Sequence, residues 1–400
     1  MEDVNLMTPL HHAVDGRCLD IVRDLLKASK ASIDKQDSLQ RTPLHLACLG
    51  GNVKLTKSLL KISKHAVNLP DHTKKSPLVH AIELDHSDIV KALLDSAPGA
   101  VDNTNHQGLT PFHQALLKTD WTIAKDVILQ HSQKPSPENV NTVIQNGQTS
   151  IHMACDKGDL VVVKAVLRIS LASIDQRDIW GSTPLHLACK WGHAAVVQEL
   201  LSKSSNSIDS EDENMMTPLH FAVQNDHIEV VEKLLNATPA SLDRLDSDGK
   251  TPFHWSLIKD DWRVARCLAS QYSPSPENIA HVIDNGHMSI HMAAFRGDLE
   301  MVQALLRVSQ SIVDEADSFR KTPLHYSCLS GNVEVVQALT QVSTASVDVP
   351  DANDMTPIHF AIQGNHGNIV LTLLEASPQL VDRPDSMGKT VFHYSLMQND

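Results

Sequence analysis

Apolar residues along this chain recur at helical spacing in short runs, and the runs come in pairs. One pair occupies TPLHFAVQNDHIEVVEKLLNA, residues 217–237. The Thr suits an N-cap, and the Pro after it suits the first helical position, where its missing N–H would be unpaired in any case. A first short helix therefore starts there, and nine residues after the Thr a polar Asp-His step predicts a turn. The apolar-periodic HIEVVEKLLNA then predicts a second helix, antiparallel to the first.

The same layout fills the chain. The motif begins at Thr8, Thr42, Ser76, Thr110, Thr149, Thr183, Thr217, Thr251, Met288, Thr322, Thr356 and Thr390, with a spacing of 34 except for 39 before Thr149 and 37 before Met288. These twelve units are repeats one to twelve below. Nine carry the Pro, and eleven place His where its ring can reach back to the cap, in the manner of a capping box. Between helix pairs a Val/Ile-Asp step is followed by a second Asp five residues before the next Thr, as at Asp34 and Asp37 or Asp382 and Asp385. Six units add Gly two residues before the Thr position, which favours a tight protruding turn.

TPLHLACLGGNVKL and TPLHLACKWGHAAVV resemble the ankyrin repeat, with its T-P-L-H-x-A signature and its period near 33. The resemblance covers the whole chain. It implies an all-α solenoid, a stack of antiparallel helix pairs joined by β-hairpin-like turns. The expected organisation is one continuous array over residues 1–400, with repeats starting near 3, 37, 71, 105, 137, 178, 212, 246, 276, 317, 351 and 385. The last repeat is incomplete, because the chain ends at Asp400 where two earlier units continue into a second helix, and we expect a fragment of a longer array.

A rhythm of four repeats overlies the 34. Residues 135–154 and 274–293, both beginning Pro-Ser-Pro-Glu-Asn, are identical at fourteen of twenty positions, 139 residues apart. At these two joints the hairpin signal gives way to a Ser cap, a Pro and an acidic first turn, predicting short extra helices near 136–146 and 275–285 that stop at Asn-Gly.

Composition excludes more than it adds. No apolar run approaches a membrane span, and MEDVNLMTPL lacks the layout of a secretory signal, so the expected location is cytoplasmic and no direct membrane insertion is expected in this segment. The formal net charge of −14 argues against nucleic acid as a partner. Seventeen Asp sit in the two turn slots, so the imbalance arises mainly from turn chemistry. The six Cys form no CxxC pair. The 23 His are read mostly as capping and turn residues, and no HExxH-type spacing suggests a metal. Gly-Lys-Thr at 249–251 and 388–390 lacks the earlier Gly of a phosphate loop. Trp121 and Trp262 are read as core. No catalytic residues, cofactor or metal are expected, and the chain is read as a non-enzyme.

What remains is a surface. In ankyrin proteins, the resemblance implies, a protein or peptide partner binds the concave side, formed by the turn tips and the end of the first helix. At those positions the chain carries Leu39, Leu49, Ile179, Trp180, Lys190, Trp191, Phe295, Arg296, Phe319, Arg320 and Leu329. Exposed Trp, Phe and Arg are the residue types that dominate binding hot spots. The expected function is an interaction scaffold or adaptor anchored mainly at repeats six, nine and ten. The alternatives are a mechanical array of a larger membrane-associated or channel protein, and the recognition arm of an effector.

Overall fold

The computed structural model of the protein describes residues 2–105, 107–129, 134–259, 261–280 and 287–397. Among them the regular structure is helical, and the β pairing is confined to isolated bridges, Gln145 with Gln148 and Pro384 with Thr390. Close packing divides the chain into two compact units, Met1–Ser207 and Ile208–Asp400.

In the first unit the helix pairs are Pro9–Asp15 with Leu19–Ala28, Pro43–Leu49 with Val53–Leu60, Pro77–Glu83 with Ser87–Ser96, Pro111–Leu116 with Thr122–Leu129, Ser150–Lys157 with Leu160–Ile169, and Pro184–Lys190 with Ala194–Leu201. The second unit has Pro218–Gln224 with Ile228–Ala237, Pro252–Ile258 with Arg263–Cys267, Ser289–Arg296 with Leu299–Val308, Pro323–Ser330 with Val333–Val342, and Pro357–Gln363 with Gly367–Ala376, followed by Val391–Met397. Within each unit, first helices pack on the first helices of neighbouring repeats. The core is mainly Leu, Val, Ile and Ala, with Phe112 and Phe253 its largest fully buried side chains. Trp121 and Trp262 are buried, as expected, and their indole N–H groups donate to the carbonyls of Leu116 and Leu257 at 3.0 and 3.1 Å. Cys48, Cys155, Cys189 and Cys328 are buried free thiols.

The capping histidine does two jobs. In repeat two the N–H of Thr42 donates to His45 Nδ1 at 3.0 Å, so the ring proton lies on Nε2, which donates to the carbonyl of Lys75 in the next repeat at 3.2 Å. His11 reaches Arg41 O, His220 reaches Lys250 O and His325 reaches Met355 O in the same way. Each ring closes its own helix and pins the following turn.

The protruding turns are closed by their Asp. Asp37 Oδ1 accepts the N–H groups of Leu39 and Arg41 at 2.9 and 2.8 Å, and the Asp37 N–H donates back to Arg41 O at 2.9 Å. Asp71, Asp178, Asp246, Asp317, Asp351 and Asp385 repeat the arrangement. Tips are linked by single bonds, such as Ser38 N–H to Asn5 O at 2.8 Å and Ala352 N–H to Phe319 O at 3.0 Å. The residue two before the Thr has positive φ in every repeat where it is described, whether it is Gly, as at Gly181 and Gly249, or a residue with a side chain, as at Leu6, Gln40, Lys74, Met215, Arg320 and Asp354.

At the joints the extra helices are Pro137–Val140 and Pro276–Ile279, one turn each and shorter than the sequence predicts. Asn139 Nδ2 and Ser136 N–H both donate to Asp102 Oδ1 at 2.8 Å, and Asn278 Nδ2 and Ser275 N–H donate to Asp243 Oδ1 at 2.7 and 3.1 Å. Elsewhere the corresponding Asp receives a Ser hydroxyl from the next repeat, as Asp175 does from Ser204 at 2.7 Å. The joint also provides the carbonyl for the preceding histidine: His254 Nε2 meets Asn278 O at 2.8 Å. The first joint ends at Asn146 and Gly147, with φ of 51° and 75°, and a Cβ on Gly147 would lie 2.7 Å from Ile179 N. The matching stop at residues 285–286 lies outside the described residues.

Candidate functional site

The residues expected to face a partner fall on turn tips and first-helix ends. In the first unit Ile179 and Trp180 occupy the tip that Asp178 closes, and Lys190 and Trp191 stand at the end of Pro184–Lys190. Trp180 is 47% and Trp191 52% exposed, although the Trp191 indole N–H is fixed on Asp156 Oδ1 at 2.7 Å and Lys190 Nζ lies 5.6 Å from its ring centroid. Leu39 is exposed on the tip of repeat two, while Leu49 is half-buried.

In the second unit Phe295 and Arg296 end the helix Ser289–Arg296, and Phe319 and Arg320 form the tip that Asp317 closes. Phe295 is 54% and Phe319 53% exposed, and Leu329 is also exposed. Here the structure adds residues that the turn-and-helix-end positions do not point to. His287, His291, Met292 and Tyr326 join Phe295 and Arg296 around a pocket of about 360 Å³.

The pocket is built around Tyr326, which follows the capping His325. Nine residues before it lies Asp317, and Tyr326 Oη donates to Asp317 Oδ2 at 2.6 Å. The spacing recurs as Asp71 with His80 at 2.7 Å, Asp246 with Trp255 Nε1 at 2.7 Å and Asp385 with Tyr394 at 2.5 Å, so the second oxygen of the turn Asp commonly finds a ring nine residues on. That Asp-to-ring spacing was the signal available in the sequence.

Burial would raise the Asp317 carboxyl, but the hydrogen bonds from Tyr326 and from the N–H groups of Lys321 and Phe319 outweigh it and hold the group below the usual carboxylate range. Tyr326 moves upward, because burial and then the Asp317 carboxylate disfavour its anion. His291, which lines the pocket, is depressed to about 4 by burial and is neutral near pH 7. The site therefore presents a neutral His291 and a neutral Tyr326, with its one buried carboxylate already engaged. Among the described residues no cluster of three or more His, Cys, Asp or Glu is arranged to hold a metal ion. Among them also, no helix is long and apolar enough to cross a membrane.

Comparison with known proteins fits this architecture. A family model described as ankyrin repeats (3 copies) matches residues 44–125, 112–212, 204–278, 263–351 and 290–385, and a second, ankyrin repeats (many copies), matches residues 7–60. Among solved structures the chain is similar to the ankyrin repeat domain of Bcl-3, a member of the IkappaB protein family, at 24% identity and a TM-score of 0.45, over 57% of this chain and 98% of that one. No curated protein matches it. The chain belongs to the ankyrin-repeat family, whose general role is protein–protein interaction.

Proposed function

We propose that the protein is a non-catalytic interaction scaffold or adaptor, and that it binds a protein or peptide partner on the concave face through Trp180 and Trp191 in the first unit and Phe295, Phe319 and Arg320 in the second. The observation that carries this reading is the exposure of four large aromatic rings, each about half open to solvent, on turn tips and first-helix ends. Aromatic area left in water at such positions is lost stability unless another surface covers it, and Trp, Tyr and Arg anchors dominate binding energy where they are covered. The location we assign to this activity is the cytoplasm.

The test is a pull-down from lysate with the intact chain, the Trp180→Ala/Trp191→Ala pair and the Phe295→Ala/Phe319→Ala pair, with Leu371→Ala as a control at an exposed residue of a second helix. The expected outcome is a partner retained by the intact chain and the control and lost from at least one pair. Retention by all four proteins would remove these rings from the interface.

A further inference from the structure

We propose that the pocket between repeats nine and ten seats one aromatic side chain of a partner segment whose neighbouring residues are acidic. This rests on the protein-binding reading above and narrows it to a ligand chemistry.

The walls select an aromatic guest. A volume of about 360 Å³ lies at the lower end of pockets that enclose a small ligand, roughly 300–1,000 Å³, and is ample for one large side chain. His287, His291 and Phe295 each meet the Tyr326 ring edge-on, at 5.2, 5.8 and 6.1 Å between centroids and 88–89° between planes. Edge-to-face and offset contacts are the arrangements aromatic rings prefer, and Met292 adds a polarisable thioether to the lining.

The polar atoms of the wall are already engaged with one another. Tyr326 Oη is held by Asp317, and His287 Nε2 lies 2.7 Å from Tyr326 Oη and 3.2 Å from Asp317 Oδ2. His291 Nδ1 accepts the Met288 N–H at 3.1 Å, and its Nε2 lies 3.1 Å from the carbonyls of both Glu315 and Lys321. A sugar or a nucleobase entering this pocket would leave its own donors and acceptors unpaired, whereas a hydrocarbon ring would not.

The rim selects the flanking charge. Arg296 is held in place by the Trp262 ring, 4.6 Å from its centroid, and by a 2.9 Å bond to Lys259 O. Lys321 Nζ stands 5.8 Å from the Tyr326 ring centroid and 4.8 Å from that of Phe360. Arg320 is exposed on the same tip as Phe319. The carboxylates nearby are Asp317, consumed as described, exposed Glu315, and Asp351, which closes the next turn; beside Arg296 and Trp262 stand Asp261, paired with Arg263 at 2.6 Å, Asp298, paired with Arg266 at 3.7 Å, and Glu300. Arg296 and Lys321 thus stand at an apolar hole, with Arg320 on the adjoining turn tip, in a chain of net charge −14. Acidic residues are repelled by most of such a surface and attracted here, which gives partner choice as well as affinity.

The experiment is fluorescence anisotropy of the full chain with a dye-labelled nonapeptide, Gly-Ser-Glu-Glu-Trp-Glu-Glu-Ser-Gly, against the same peptide with Trp replaced by Ala and against one with every Glu replaced by Lys. The Trp–Glu peptide should saturate, with the other two at least about tenfold weaker. Phe295→Ala should weaken it about tenfold and Arg320→Glu about fivefold, with less salt dependence in Arg320→Glu, while the control Leu371→Ala, at an exposed residue of a second helix, leaves it unchanged. The comparison of peptides on the intact chain stands even if a variant fails to fold. Equal behaviour of the Trp and Ala peptides, including no binding by either, overturns the proposal, as does unchanged affinity in folded Phe295→Ala. If the peptide fails while the lysate partner is still lost from the Phe295→Ala/Phe319→Ala pair, the pocket assignment falls and the interaction surface stands.

Discussion

The capping histidine makes this fold sensitive to acid well above the carboxylate range. His45, His113, His291 and His325 are each lowered to about 4 by burial, against about 6.5 in an unfolded chain. As pH falls below about 6.5 the unfolded state takes up protons first, so stability is lost progressively between about 6.5 and 4. Asp37 and Asp317, whose hydrogen bonds hold them low despite burial, add a second loss only as pH drops below about 3.8. Urea midpoints measured from pH 7.5 to 4.5 should therefore fall steadily across that window; a flat profile down to pH 4.5 would contradict the neutral-imidazole assignment. The turn position two before the Thr makes a second residue-scale prediction. Gln40 holds φ at 59°, where a left-handed backbone costs a residue with Cβ about 1 kcal/mol. Gln40→Gly should accordingly stabilise the protein by roughly 0.5 kcal/mol, after the flexibility Gly adds to the unfolded chain. Gly147→Ala should go the other way, because its Cβ would collide with the backbone of Ile179.

At the scale of elements, the helix starts were legible and the joints only in part. Thr, Pro and His name a cap, a first position and a ring that reaches back, all local chemistry, and nine boxes with Thr at the cap follow from it, while at Met288 and at Thr390 the ring-to-cap bond from the backbone N–H is kept. The joint carries equally good start signals, but its length was misread. Val140, Val143 and Ile144 imitate a helical face, yet only Val140 is fully buried, while Val143 is 48% exposed and the Ile144 N–H turns to Gln148 O at 2.7 Å. Asn139 and Ser136 tie the helix to Asp102 of the preceding repeat, a long-range contact that no local pattern reveals. The Asp317-to-Tyr326 spacing could be read locally, but the pocket it helps to form could not, since Tyr326 and Phe295 belong to different repeats and meet only once these pack. Asn278→Ala should cost roughly 1.5 kcal/mol by chemical denaturation, the worth of a hydrogen bond to a carboxylate. Adding Asp243→Ala to that variant should cost distinctly less than it does alone, if the pair acts as one element.

Across the whole molecule, each repeat is stabilised chiefly by its neighbours, so damage should stay local. Leu93, fully buried in the second helix of repeat three, tests this. Leu93→Ala should cost about 2–5 kcal/mol and lower hydrogen-exchange protection in repeats two to four, leaving repeats ten and eleven near their original values. Equal loss everywhere would mean that the chain unfolds as one cooperative body.

The bond from His254 to Asn278 has a meaning for how such a gene can lengthen. At the second joint the outgoing imidazole meets the same kind of carbonyl that an ordinary turn offers, so a block of four repeats followed by Pro-Ser-Pro-Glu-Asn keeps the donor of His254 paired at that seam. Recombination can splice in another such block without inventing a new junction, and the two near-copies of that segment in the present chain read as the scars of that route to a longer protein.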